Sequence, residues 1–345
     1  MCDIPSYKFK PELHKKYLSR FLNHRLPSFF ASMDTNRSVI IYFCLAGLDV
    51  LGNIDKLSRK KQNEIIECIY SLQVVNENEL VSGFQGSSFL NTKDNRSQPS
   101  PYKWCHIANT YSCLLSLLIL GDDLSRVNKE EIIKSLRVLQ LRNGSFKGAI
   151  EGAESDMRFV YCAACISYIL NDWRGIDIEK MMQFILNSIS YDGGIGQGPE
   201  LESHCGSTFC AVASLALSNN LHRLSKRQFH NLRRWLLMRL ETGFNGRPNK
   251  PTDTCYSFWT GGALKILNAY QFIEADDNPQ FILMTQDKYG GFAKWMNAVP
   301  DPMHTYFGLA GLSLMKFDNL REMFCPLNCT RKVHDHLKTL HAGWS

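Results

Sequence analysis

The feature that most constrains this 345-residue chain is a run of small and apolar residues that keeps returning. YFCLAGLDVL, beginning at Tyr42, comes back as YFGLAGLSLM at Tyr306, and Tyr111, Tyr161, Phe209 and Phe258 each open a similar run between them. The interval is about 50 residues, a period that belongs to stacked supersecondary units. The first interval is longer, and its excess falls in 86–102, where Ser, Asn and Pro crowd together and an inserted loop is expected.

A second signature falls between these runs: Asn143-Gly-Ser-Phe146, Asp192-Gly-Gly-Ile195, Thr242-Gly-Phe-Asn245 and Tyr289-Gly-Gly-Phe292, with Ser82-Gly-Phe84 earlier. Glycine permits the positive φ of a helix stop, and the apolar residue after it can tuck onto the core. Each is followed by a loop and then the next small-residue run. The segments before them, such as Lys129-Glu-Glu-Ile-Ile-Lys-Ser-Leu136 and Asn231-Leu-Arg-Arg-Trp-Leu-Leu237, are amphipathic. One helix of each pair can therefore face water, whereas the other must be buried on every side. The expectation is an all-α fold of six helix pairs in one domain spanning 1–345, with a repeat core of about 37–320 and a polar N-terminal segment, 1–20. An open solenoid wants polar capping repeats at its ends. Here the first and last apolar runs are the most alike, so a closed α-α toroid of inner and outer rings is expected.

Composition excludes several classes. Hydrophobic residues make up 44% and charged residues 21%, ordinary for a globular domain with a sizeable core. The formal charge of +6 is dispersed, and its densest run, Arg223 to Arg239, alternates with Leu and Trp as a solvated helix face does, so no nucleic acid is expected as partner. The twelve cysteines lie mostly inside apolar helical runs, which suits a reducing compartment better than a disulfide framework. The N-terminus lacks a secretory apolar core and no apolar stretch is long enough to span a bilayer. A cytoplasmic protein without an integral membrane segment is the expectation.

Five residues ahead of each aromatic stands a polar one: His106, Asp156, His204, Asp253 and Asp301. In a closed ring these positions converge on one rim, where helix N-termini favour anions. For Asp156 and Asp301, simple helix capping is an equal reading. Asp253 is different, because Cys255 follows it and His304 stands one repeat further on. Neighbouring repeats lie side by side, so one carboxylate, one thiolate and one imidazole can meet. That is a zinc set with a fourth position open, the catalytic arrangement. The approach is basic, with Arg247 and Lys250 near His204 and Tyr256, which together could hold a phosphate. Aromatics at interior positions (Phe43, Phe159, Tyr161, Tyr256, Phe258, Trp259) would suit plain core or a cavity for a long apolar ligand with an anionic head.

The stretches GRPNKPTDTCYSFW (246–259), LESHCGSTFCAVASL (201–215), SDMRFVYCAACISYIL (155–170), GGFAKW (290–295) and LGDDLSRV (120–127) resemble the β subunits of protein prenyltransferases, most closely the geranylgeranyltransferase type I kind. The resemblance covers about 37–314 and implies a closed α-α toroid. It implies one zinc per β subunit on Asp253, Cys255 and His304, with Lys294 and Tyr256 also at the reacting centre. It assigns His204, Arg247, Lys250 and Tyr256 to the diphosphate. Val39, Phe43, Arg158, Tyr161 and Trp259 fall to the isoprenoid, and His106, Ala108, Glu154, Phe159 and Met303 to the peptide. The implied partners are a prenyltransferase α subunit in a heterodimer, geranylgeranyl diphosphate, and proteins ending in Cys-a-a-X, X mostly Leu, such as small GTPases.

Two positions speak for the C20 subclass within that resemblance. Val39 stands where farnesyltransferases carry Trp, leaving room for another isoprene unit. Lys294 stands where they carry an Asp that helps bind Mg2+, so Mg2+ is not expected to be required. Val39 itself replaces the Thr usual in type I enzymes, Met303 replaces Leu, and Cys205 replaces Gly. The alternatives are a farnesyltransferase or Rab geranylgeranyltransferase β subunit, a terpene cyclase, for which the DxDD and DDxxD motifs are missing, and a non-enzymatic helical-repeat scaffold.

Overall fold

The computed structural model describes residues 7–75, 81–88, 105–150, 154–273 and 277–344. Most of the expected loop 86–102 therefore lies outside the described residues, as does the start of the N-terminal segment.

The fold is all-α with repeated helix pairs. Amphipathic helices α1 (Pro11–Asn23), α3 (Arg59–Tyr70), α5 (Lys129–Leu139), α7 (Ile178–Asn187) and α9 (Lys226–Leu237), with the short and mostly covered α11 (Asp277–Met284), alternate with six others. These are α2 (Arg37–Val50), α4 (Ile107–Ile119), α6 (Met157–Leu170), α8 (Cys205–Leu217), α10 (Tyr256–Ile266) and α12 (Pro302–Leu314). The second set is buried almost throughout. Each packs on the next in order, and α12 packs on α2, so the inner ring closes.

The outer ring closes through the N-terminus. The glycines do not end the helices as expected; they sit in the turns that follow. Gly144, Gly193 and Gly290 have positive φ there, and Gly243 holds the equivalent place without one. Their function is close approach. A Cβ on Gly144 would stand 2.0 Å from the Lys180 carbonyl oxygen of α7, and one on Gly290 would stand 2.2 Å from the Leu13 oxygen of α1. So each glycine turn seats the next outer helix, and the last seats α1. The tucked residues Phe146, Ile195, Phe244 and Phe292 are fully buried, each bridged back to the end of the preceding helix segment. The segment that reads as merely polar thus supplies an outer helix. Its His14 donates from Nε2 to Gln286 Oε1 at 2.9 Å and accepts from the Gly291 N–H at 3.0 Å, while Tyr17 donates to the Pro300 oxygen at 2.8 Å.

One end of the ring is plugged. After α12 the chain makes a 3₁₀ turn, Cys325–Leu327, with Asn328 left-handed at φ 54. Tyrosines of four inner helices reach it: Tyr42 and Tyr306 donate to the Asn328 oxygen (2.8 and 2.7 Å), Tyr111 to Leu327 (3.3 Å) and Tyr161 to Pro326 (3.1 Å). Helix α13 (Arg331–Gly343) then lies across the same end, its His336 and His341 on the oxygens of Asp122 and Ile169. The other end, where the inner helices begin, is open.

Candidate active site

Four of the five rim residues cap the inner helices. His106, Asp156, His204 and Asp301 each accept a backbone N–H in the first turn of α4, α6, α8 and α12. The capping reading is correct for them, and it does not exclude the other, because His106, His204 and Asp301 also face a cavity. Asp253 is not a cap residue. It sits ahead of α10, where its Oδ1 accepts the Cys255 N–H at 3.0 Å and so fixes the two side chains relative to each other.

Asp253, Cys255 and His304 meet, all buried, with one potential ligand atom from each within 4.8 Å of the others. His304 Nε2 lies 3.2 Å from Asp253 Oδ1. On its far side Nδ1 donates to Asp301 Oδ2 at 2.5 Å, which fixes the ring and turns Nε2 toward Asp253 and Cys255. Burial opposes a charge on His304, but the two carboxylates outweigh it and push its pKa up to about 9. Burial, reinforced by the Asp253 charge, pushes the Cys255 thiol well up. A pocket with two carboxylates, one imidazole and one thiol asks for a cation, and the donor set is that of zinc: S, N and O from three residues, with a carboxylate orienting the imidazole. The residues present fit a single zinc site.

Around it stand the other polar groups. The Lys294 ammonium lies 3.7 Å from Asp253 Oδ2 and 4.6 Å above the Trp295 ring. His204 accepts the Gly206 N–H at Nδ1 (3.0 Å), which leaves Nε2 to donate to the Tyr256 oxygen at 2.9 Å. Burial, then the Arg247 charge, lowers the His204 pKa, so the ring is neutral near pH 7 and the Tyr256 O–H stays free to donate. Arg247 is held by Glu202 at 2.5 Å, and Lys250 is exposed at the end of the same loop.

The cavity occupies about 700 Å3 inside the inner ring. Val39, Phe43, Arg158, Tyr161 and Trp259 all line it, as do His106, Ala108 and Met303. Two residues expected near a peptide do not. Phe159 packs edge-on against His106 with ring centres 5.5 Å apart, and Glu154 pairs with Arg158 in a neighbouring surface depression. Sequence reasoning missed Asp301 as the partner of His304, though its spacing of three residues was visible. It also missed Phe307 and the Asn328 plug, which form the deep end. The hydroxyls of the inner-helix tyrosines were the available signal for the plug, since buried O–H groups need acceptors.

A family model for the prenyltransferase alpha-alpha toroid domain matches residues 9–337. The chain is 35% identical to the geranylgeranyl transferase type-1 subunit beta of Arabidopsis thaliana, over 93% of this chain and 89% of that one. It is 36% identical to the protein of the same name from Dictyostelium discoideum, over 92% and 94%. Among solved structures it resembles Candida albicans protein geranylgeranyltransferase-I complexed with GGPP, with a TM-score of 0.84, 28% identity, and coverage of 96% of this chain and 99% of that one. Because the family match runs from the residues before α1 into α13, it takes in both helix rings, the plug and the metal triad, and the chain belongs to the prenyltransferase α-α toroid family.

Proposed function

We propose that this chain is the catalytic β subunit of a zinc-dependent protein geranylgeranyltransferase type I, which moves a C20 isoprenoid from geranylgeranyl diphosphate to the cysteine of a C-terminal Cys-a-a-X sequence. One observation carries the reading: a buried Asp/Cys/His triad is tied through His304 to Asp301, which lines the mouth of an apolar cavity whose other end is sealed. A metal at that mouth and a greasy blind tunnel beneath it suit a thiol acceptor and a prenyl donor. Both type-1 β subunits reported above, and the solved structure with its bound GGPP, support it.

The residues divide the work. Zinc, when bound, supplies a thiolate by holding the substrate sulfur at neutral pH. Asp253, Cys255 and His304 would hold it, with Asp301 fixing the imidazole. The lipid tail lies against Phe43, Tyr161 and Trp259, and Val39 leaves width for the fourth isoprene unit. As the C–O bond breaks, charge grows on the diphosphate. Tyr256, aligned by His204, would donate to it, and Arg247, Lys250 and Lys294 would offset its charge, more in the transition state than before. With Lys294 in that place, no Mg2+ is needed. His106, Ala108 and Met303 would receive the peptide end, X mostly Leu, with Arg158 and its partners Asp156 and Glu154 near by.

The partner in this reading is an α subunit. Tyr191, Leu201, Tyr289, Trp295, Met296 and Val299 are exposed apolar side chains in the loops around the open end, as a surface covered by another chain would be. Among the described residues no helix is long and apolar enough to cross a membrane. The substrate proteins would be small GTPases and others with such C-termini, met in the cytoplasm.

The test is zinc per chain in the purified heterodimer, parent against Cys255→Ser and His304→Ala, with prenyl transfer from C15 and C20 donors to a peptide ending in Cys-a-a-Leu. About one zinc, lost in both variants, and faster transfer of C20 are expected. A well-folded parent without zinc would overturn the reading, and equal use of both donors would return the chain to the farnesyltransferase alternative.

A further inference from the structure

Thr254, the residue between two of the metal ligands, has no part in the reading above, yet its contacts are not those of a spacer. It is fully buried. Its N–H donates to the Lys294 oxygen at 3.0 Å, and its Oγ1 donates to the Ala293 oxygen at 2.7 Å. The neighbouring Thr285 hydroxyl, 3.1 Å away, donates to Ile282 at 2.8 Å, so Thr254 keeps its own proton for Ala293. Its methyl packs beside Gly308, where an added Cβ would come within 3.1 Å of it. One residue thus pins two successive peptide oxygens of the neighbouring repeat to the segment that carries Asp253 and Cys255. The second of those oxygens belongs to Lys294.

That matters because Lys294 cannot place itself. Its side chain is half-exposed, with four rotatable bonds, an ion pair at 3.7 Å to Asp253 and the half-exposed Trp295 ring of the next residue beneath it. Rotamer freedom of that kind disperses a charge unless the backbone anchor is fixed. Charge stabilisation at a transition state needs the group already in position, and an error of about 1 Å costs on the order of a hundredfold in rate.

We propose that Thr254 is a positioning residue for Lys294: its hydroxyl and amide dock the 293–294 peptide onto the metal motif so that the ammonium stands where the departing diphosphate gains charge. The inference rests on the prenyl-transfer reading. It acts on the leaving group rather than on the metal, which is what separates it from a structural role in the ligand loop.

The experiment uses the α/β heterodimer with Thr254→Val, Thr254→Ser, Lys294→Ala and the double variant T254V/K294A. Valine keeps the shape and the amide bond and removes only the hydroxyl. The expected result for T254V is a fall in kcat of about tenfold to a hundredfold, with KM for the lipid donor and zinc per chain at parent values. T254S should restore most of the rate. Affinity for inorganic diphosphate, measured by calorimetry, should fall several-fold in T254V and K294A alike, because the released product carries the charge that Lys294 faces. T254V should cost nothing further on the K294A background, since both remove one interaction. If T254V does not assemble, Thr254→Ala is read in the same way. Parent-like kcat in T254V, loss of zinc in T254V, or losses that multiply in the double variant would each overturn the proposal while prenyl transfer by the parent stands. A parent that transfers no lipid would overturn the functional reading and this proposal with it.

Discussion

At the scale of single residues, the site depends on groups that do two tasks at once. Asp301 caps α12 through one oxygen and orients His304 through the other. Asp301→Asn separates these tasks, because Asn caps as well as Asp but cannot accept the imidazole proton as a carboxylate does. Stability is expected to stay within a few tenths of a kcal/mol, while zinc affinity, measured by competition with a chelator, falls about 10- to 100-fold. A parent-like affinity would mean that Asp301 is only a cap. Val39 makes a different point, since it borders free volume rather than packed core. In Val39→Trp the indole would enter the cavity, and the C20:C15 ratio of kcat/KM is expected to drop at least about tenfold. Most of this was legible in the sequence. Asp253, Cys255 and His304 carry distinctive chemistry at fixed places in a repeat, so their meeting could be inferred. The destination of an ordinary residue such as Thr254 could not, because its partners lie in the next repeat and are backbone oxygens.

Among the elements, α1 holds the closure, and its buried histidine makes that closure sensitive to acid. Burial is the main cause that lowers the His14 pKa, to about 4, with the Gln286 bond only partly opposing it. Protonation would also break the bond that Nδ1 accepts from Gly291. The unfolded chain binds this proton near pH 6.5 and the folded one near 4, so the unfolded state holds more protons between those values. Stability from this group is therefore complete above about pH 6.5 and is lost as pH falls toward 4, by about 3 kcal/mol at most. Urea melts of the parent and His14→Gln between pH 7 and 4 check it, with the variant expected to show the shallower loss. His334, which burial also lowers to about 4, gives both proteins the same background slope. Helix periodicity showed that outer and inner helices alternate. It did not show that α1 belongs among the outer ones, because a chain end has no preceding repeat to be compared with.

For the whole molecule, closure is the property on which the rest depends. With α12 and α1 both packed on α2, and the Gly290 turn before α12 seated on α1, the seam is tied to the N-terminal helix. Removal of residues 1–23 would expose the apolar side of α2 and the turn around Phe292. The truncated chain is expected to lose cooperative unfolding and to bind a hydrophobic dye at neutral pH, rather than to lose one repeat's worth of stability as an open solenoid would. A sharp, dye-free transition would show instead that the ring is held without its sixth outer helix. The plug belongs to this scale too, since it joins four helices through tyrosine hydroxyls and turns a through-channel into a blind cavity.

By itself, the sequence determined the all-α class, the pairing of amphipathic with apolar helices, and the three residues able to make a metal site. The reason is that periodicity and side-chain chemistry are local and survive repetition. The tertiary structure alone decided that the N-terminus completes the outer ring, that the glycines serve close approach rather than helix stopping, and that CPLN at 325–328 seals the tunnel. It also decided that Asp301 and Thr254 support the groups that carry the chemistry. These are contacts between distant parts of the chain, made largely through backbone oxygens that every residue carries, so no residue type announces them.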